Sequence, residues 1–167
     1  ENGHDVLLWH YKDDFVQKIN QNHIHPFLPE VKLSTKLQFT SSIDEICSYG
    51  ELLVSAVPCQ SLRSVLDQFP ENWNKLILSV SKGIENKTGM RMSDVISETL
   101  NINNDKIAIL SGPSHAEEVI SKYTTTVVSA SSDILFARNI QIIFSNYFFR
   151  VYSGNDVTGV EIGGAAK

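Results

Sequence analysis

Short apolar runs alternate along the chain with segments whose apolar residues recur every three or four positions. The runs are Asp5–Trp9, Leu37–Thr40, Leu52–Val57, Leu76–Val80, Ile107–Leu110, the β-branched Thr124–Ala130, and Phe148–Tyr152. Continuous apolarity over so few residues marks strands buried on both faces. Between them, Phe15, Val16 and Ile19 line one face of a short helix over Asp13–Asn20. Further helical faces are Leu62, Val65, Leu66 and Phe69; Met92, Val95, Ile96 and Leu100; and Leu135, Phe136, Ile140, Ile142 and Ile143. This alternation of strand and helix is the signature of an α/β fold with a doubly wound sheet.

Local signals set the boundaries. Ser42-Ile43-Asp44-Glu45 is a capping box, opening a helix that ends near Gly50. Pro113 suits the first position of a helix, because its missing N–H has no intrahelical partner there. Glu117 and Glu118 then complement the dipole of its first turn. Ser132 is positioned to cap the next helix, and a glycine-rich helix begins near Asp156. His23-Ile24-His25-Pro26-Phe27-Leu28-Pro29 reads as a loop. Ser153-Gly154-Asn155 reads as a joint, dividing the chain into 1–152 and 153–167.

Composition adds exclusions. The 167 residues suffice for one domain with a real core, and 42% hydrophobic with 20% charged residues is ordinary for a soluble globular protein. No apolar run approaches the ~20 residues of a membrane span. The polar start is unlike a signal peptide. Two cysteines, Cys47 and Cys59, make neither a disulfide framework nor a metal quartet, and reduced thiols point to a cytoplasm. The net charge of −5 and the lack of a basic run argue against nucleic acid, though lysines and helix N-termini still bind anions locally. Glu1–His4 reads as a helix end running into a strand, and Lys167 falls inside a helical pattern, so a longer protein is expected.

Chemistry concentrates where strands end, since open α/β sheets bind ligands beyond the carboxyl ends of their strands. Ser111-Gly112-Pro113-Ser114-His115-Ala116-Glu117-Glu118-Val119 follows an apolar run, so strand, tight turn and helix start together suit an anion or polar ligand. Gly112 lets the backbone approach what lies above the strand, and Ser114 adds a hydroxyl. An ordinary strand-to-helix connection explains the same residues. Lys82 stands just past Leu76–Val80, where a lysine reaches a carbonyl or phosphate, or merely solvent. Val57 and Pro58 close another strand, beside Cys59, which is read as a small packing residue rather than a reactive thiol. In a dinucleotide-binding fold the end of the second strand faces the adenosine ribose; Trp9-His10-Tyr11-Lys12 holds no carboxylate before Asp13, which there favours tolerance of NADPH over strict NADH use, and a solvated strand end explains the same residues. His23 and His25 lack further ligands nearby, so no metal is expected.

The segments Ser81–Glu85, Ser111–Val119 and Asn155–Lys167, in this order and spacing, resemble the NAD(P)-dependent glycerol-3-phosphate dehydrogenases, close to the bacterial form. The resemblance runs along essentially the whole chain, and Asn2–Trp9 looks like that family's second strand. It implies a Rossmann-like domain over 1–152, lacking its first strand and Gly-rich turn, and over 153–167 the start of an all-helical substrate domain. It implies interconversion of dihydroxyacetone phosphate and sn-glycerol 3-phosphate with NADH or NADPH, in the supply of phospholipid backbone, with the chain as given inactive. Lys167 matches the catalytic lysine, and Lys82 a lysine that contacts both substrate and nicotinamide. The substrate would meet Lys82, Gly112, Ser114 and Lys167; the cofactor would meet Tyr11, Lys12, Val57, Pro58, Lys82 and Ala116. His115 is declined as an acid, because its place in the family also takes a non-titrating aromatic. Tyr11 stands where the family commonly has a basic residue, and Glu30 where it has Gly. The expected partners are the small-molecule substrate and a second copy in a homodimer, with no nucleic acid and no membrane span. A 6-phosphogluconate or hydroxyisobutyrate type of dehydrogenase, and a non-catalytic nucleotide-binding module, are the alternatives.

Overall fold

In the computed structural model, which describes residues 2–166 and only the backbone of Pro29 and Glu30, the chain folds as two units, Glu1–Gly50 and Glu51–Lys167.

In the first unit β1 (Leu7–Trp9) pairs in parallel with β4 (Gln38–Thr40), Leu7 opposite Gln38 and Trp9 opposite Thr40. The helix α1 (Asp13–Asn22) connects them and buries Val16 and Ile19. It stops at His23, whose left-handed backbone turns its N–H onto the Ile19 carbonyl at 2.9 Å. The stretch expected to be a loop is instead an antiparallel hairpin, β2 (Ile24–His25) with β3 (Leu28–Lys32). Its tip closes when the Phe27 N–H donates to His25 Nδ1 at 3.3 Å. A strand of two residues is too short to leave a period in the sequence. The side chain of Glu30, which stands where the resembled family has Gly, lies outside the described residues.

The helix α2 (Ile43–Ser48) has half of its capping box. Ser42 Oγ accepts the Glu45 N–H at 3.2 Å. The return bond is relayed: Thr40 Oγ1 accepts the Ser42 N–H at 3.0 Å and donates to Glu45 Oε2 at 2.5 Å.

The second unit is a five-stranded sheet ordered β5 (Leu52–Ser55), β6 (Leu76–Ser79), β7 (Ile107–Ser111), β8 (Thr125–Ser131), β9 (Phe149–Gly154). All neighbours are parallel except β7 and β8. The connection between those two holds only α5 (Ala116–Ile120). Five helical residues rise about 7.5 Å, while a five-residue strand spans about 17 Å, so this helix does not carry the chain back along the sheet and β8 returns antiparallel.

Helices cover both faces. Phe136 and Ile140 of α6 (Ile134–Phe144) pack with Leu78, Ala108, Leu110, Val127 and Val151. The alternate residues Ile107, Ile109 and Ser111 face the other side, where α4 (Met92–Leu100) and α7 (Val157–Ala165) lie, with α3 (Leu62–Leu66) against α4. The buried Val95, Ile96, Leu62 and Leu66 fall at the positions their spacing implied.

Three local expectations shift. Pro113 is not helical, since α5 begins at Ala116 with His115 as its extended N-cap. Lys82 Nζ donates to the Gly112 carbonyl and to Ser114 Oγ in the turn ahead of that cap. The cap of α6 is Asp133, whose Oδ1 accepts the Leu135 N–H at 2.9 Å, because β8 continues to Ser131. Ser153 and Gly154 belong to β9, paired with Ser129 and Ala130. Only Asn155 and Asp156 separate β9 from α7.

Candidate functional site

Lys82 sits at the root of a strapped hairpin beyond β6. Ile84 bridges Arg91, and the Glu85 N–H reaches the Met90 carbonyl at 2.9 Å. From α3, Arg63 grips Glu85 with two parallel bonds, Nε to Oε1 at 2.9 Å and Nη2 to Oε2 at 3.0 Å. Thr88 adds a hydroxyl to Oε2 at 2.5 Å. The Arg63 bonds, with Thr88 behind them, hold the Glu85 carboxyl down at about 2, and Glu85 in turn raises the Arg63 guanidinium. Gln60 clasps the hairpin with its amide, donating to the Ile84 carbonyl at 2.8 Å and accepting the Asn86 N–H at 3.0 Å. Gly83 adopts φ +134°, and a Cβ there would stand 2.6 Å from Cys59 Sγ, so Cys59 packs directly beneath the loop.

From this root Lys82 Nζ donates to the Gly112 carbonyl at 2.9 Å and to Ser114 Oγ at 3.2 Å. Gly112 is needed because its backbone runs against β8, where a Cβ would lie 2.8 Å from the Thr126 carbonyl oxygen. The close neighbour is thus the adjoining strand. On α7, a Cβ at Gly164 would collide with Ser111 Oγ and stand 3.8 Å from Lys82 Cγ. The result is a cleft of about 310 Å³ lined by Lys82, Gly83, Ser114, His115, Gly164 and Ala165. It offers an ammonium and a hydroxyl at the carboxyl ends of β6 and β7, with small residues leaving the rest open.

The structure therefore brings Lys82, Gly112 and Ser114 together. Ala116 is the exposed first residue of α5, four positions past Gly112, and a single short helix adds little dipole. Val57 and Pro58 follow β5 rather than ending it, and Ser81 Oγ donates to the Val57 carbonyl at 2.5 Å, joining two loops of the same sheet edge. Tyr11 and Lys12 belong to the other unit. Lys12 caps α1, its N–H donates to His10 Nδ1 at 3.2 Å, and its Nζ stands 5.3 Å from the Tyr11 ring centroid. Lys167 lies outside the described residues. Among the described residues no three His, Cys, Asp or Glu side chains are grouped for a metal.

Sequence reasoning missed Gly83, Gly164 and Ala165 as cleft walls. The glycine-rich helix carried a signal for the last two, since such a helix packs close to another backbone. It also missed Glu161, a buried acid of α7 whose neighbours in sequence do not reveal its partners.

Residues 1–137 match the family model for the NAD-dependent glycerol-3-phosphate dehydrogenase N-terminus. The glycerol-3-phosphate dehydrogenase (NAD(P)+) of Lysinibacillus sphaericus is 44% identical over 171 residues, covering 100% of this chain and 51% of the relative. That of Staphylococcus haemolyticus is 39% identical, covering 100% and 52%. The chain thus spans about half the length of the curated relatives it matches. Among solved structures, glycerol-3-phosphate dehydrogenase from Coxiella burnetii superposes with a TM-score of 0.87 at 24% identity, over 97% of this chain and 50% of that one. The Plasmodium falciparum glycerol-3-phosphate dehydrogenase gives 0.84 at 26% identity, over 96% and 46%. With a doubly wound sheet, a lysine-and-serine cleft at its carboxyl edge and these likenesses along its whole length, the chain belongs to the NAD-dependent glycerol-3-phosphate dehydrogenase family.

Proposed function

We propose that this chain is the cofactor-binding half of an enzyme interconverting dihydroxyacetone phosphate and sn-glycerol 3-phosphate with NADH or NADPH, supplying glycerol 3-phosphate for phospholipid synthesis. The observation that carries the reading is the ammonium of Lys82 beside Ser114 Oγ, in a cleft at the carboxyl edge of a sheet of this family. Residues 1–152 would form the dinucleotide domain and 153–167 the start of a helical substrate domain. The enzyme would work in the cytoplasm, as a homodimer.

The cleft suits a nicotinamide: glycine and alanine walls at Gly83, Gly164 and Ala165 admit a flat ring, and no carboxylate lines it. When bound, that ring supplies the hydride. Lys82 then stabilises the substrate oxygen as negative charge develops there, aided by the exclusion of water. Ser114 and the Gly112 backbone hold Lys82 and orient the substrate. Lys167 gives the proton to the alkoxide. Val57, Pro58 and Ala116 would border the cofactor, with Tyr11 and Lys12 at its adenosine end. The test is turnover by the full-length protein: oxidation of NADH or NADPH that depends on dihydroxyacetone phosphate supports the reading. Turnover only with a hydroxyisobutyrate or 6-phosphogluconate type of substrate overturns it.

Cofactor choice has its own test. An NAD-selective site places a carboxylate at the end of the second strand, which binds the ribose hydroxyls and repels a 2′-phosphate. The nearest acid after β1, Asp13, is already engaged, accepting from Ser41 Oγ at 3.0 Å and from Gln17 at 2.7 Å. NADPH should serve at least comparably to NADH. Lys12→Glu should lower kcat/KM for NADPH by about two- to fivefold at low salt, an exposed charge being worth under ~1 kcal/mol. A strong wild-type preference for NADH, or a variant unchanged with NADPH, would show that this strand end does not read the 2′ position.

A further inference from the structure

The nine residues of α7 include one charged side chain, Glu161, and it is buried. Its carboxylate accepts the Ser93 N–H on Oε1 at 2.8 Å and the Ser93 hydroxyl on Oε2 at 2.5 Å, and pairs with Arg91 Nη1 at 3.2 Å. Ser93 is the second residue of α4, whose own N-cap, Arg91, makes no side-chain cap bond. Glu161 therefore caps a helix from 68 positions further along the chain.

Arg91 links this cap to the cleft. It faces Ile84 across the hairpin rooted at Lys82. Its guanidinium holds Asp94 with two bonds, at 3.0 and 2.8 Å, and reaches Thr158 Oγ1 of α7 at 2.8 Å. Thr158, Glu161 and Gly164 follow one another at three-residue intervals, so they share one face of α7. The first two grip Arg91, and the third meets Ser111 and the Lys82 stem. An apolar side chain would fill the Glu161 position without burying a charge. Burial does disfavour its ionised form and raises its pKa, against the pull of Ser93 and Arg91. What the carboxylate adds over an apolar filler is direction.

We propose that Glu161 is a positioning residue: by capping α4 and holding Arg91 it sets α7 in register with the Lys82 hairpin, and so fixes the Gly164–Ala165 wall of the cleft. The kinetic part of its test rests on the proposed function, and the exchange part does not.

The experiment compares Glu161→Ala, Glu161→Gln and Arg91→Lys in the full-length protein, at a temperature where each is folded by circular dichroism. Glutamine keeps an oxygen for the Ser93 N–H, so kcat with dihydroxyacetone phosphate should stay within about threefold of wild type. Glu161→Ala should lower kcat by about ten- to a hundredfold, the cost of a misplaced wall, a larger factor than any rise in the KM for the cofactor that the wall meets. Hydrogen exchange should quicken in residues 82–91 and 157–165 of the alanine variant but not of the glutamine variant. Arg91→Lys, which keeps the charge and loses the fork, should show the same signature if alanine prevents folding. Wild-type kcat in the alanine variant, equal impairment of alanine and glutamine, or unchanged exchange in both segments would each overturn the proposal. A wild-type protein inactive on dihydroxyacetone phosphate would instead defeat the proposed function, leaving exchange to decide the role of Glu161.

Discussion

Replacing Lys167 by alanine in the full-length protein should lower turnover by about 10²–10⁴, the usual worth of a positioned general acid, while cofactor affinity stays near normal. The motive is its place at the end of Asn155–Lys167, where the resemblance implies a catalytic lysine. In α7, Gly164 lies against Ser111 and the Lys82 stem, at the carboxyl edge of the sheet. A lysine ammonium is protonated at neutral pH and can give its proton to a developing alkoxide, a far stronger base. Arginine at position 167 should not rescue turnover, since a guanidinium keeps its proton. Cofactor binding, followed by nicotinamide fluorescence, separates lost chemistry from lost binding. Near wild-type turnover would remove Lys167 from the mechanism.

How far the sequence carries depends on the range of the interaction. The central strands β6 and β7 are legible because Ile77, Leu78 and Ile107–Leu110 are buried on both faces and leave continuous apolar runs, whereas the outer β5 and β9 leave Val54 and Tyr152 exposed. α4 is legible because Met92, Val95, Ile96 and Leu100 bury one stripe. Caps are less secure, because adjacent side chains compete: Asp133 displaces Ser132, and Thr40 takes over half of the Ser42 box. The local promise of Pro113 fails because His115 is still extended, ending a turn that also meets Lys82 from 30 residues away. The direction of β8 follows from how little helix lies in one connection, which periodicity does not encode. In the site, Lys82, Gly112 and Ser114 are marked by motif, and the structure joins them. The strap from Arg63 to Glu85 spans 22 residues and leaves no pattern, since a paired charge reads in sequence like a solvated one.

Lys82→Met in the full-length protein should lower kcat/KM for dihydroxyacetone phosphate by about 10²–10³, the loss seen when a preorganised donor to a developing oxyanion is removed. Methionine keeps the stem that packs under α7, where Lys82 Cγ lies 3.8 Å from the Gly164 Cβ position, and removes only the ammonium. The hairpin that carries it remains strapped by Arg63, Gln60 and the Ile84–Arg91 bridge, so the fold should survive and Tm should move little. Part of the effect will come from the β7–α5 loop, which loses its tie at Gly112 and Ser114. Ser114→Ala isolates that part: it removes one acceptor from Lys82 but leaves the Gly112 carbonyl in place, and should cost about tenfold or less. Lys82→Gln, which can still donate but carries no charge, should fall between methionine and wild type. If methionine and Ser114→Ala lose the same amount, Lys82 acts by holding the loop. If methionine loses far more, and mostly in kcat, its charge meets the reacting oxygen.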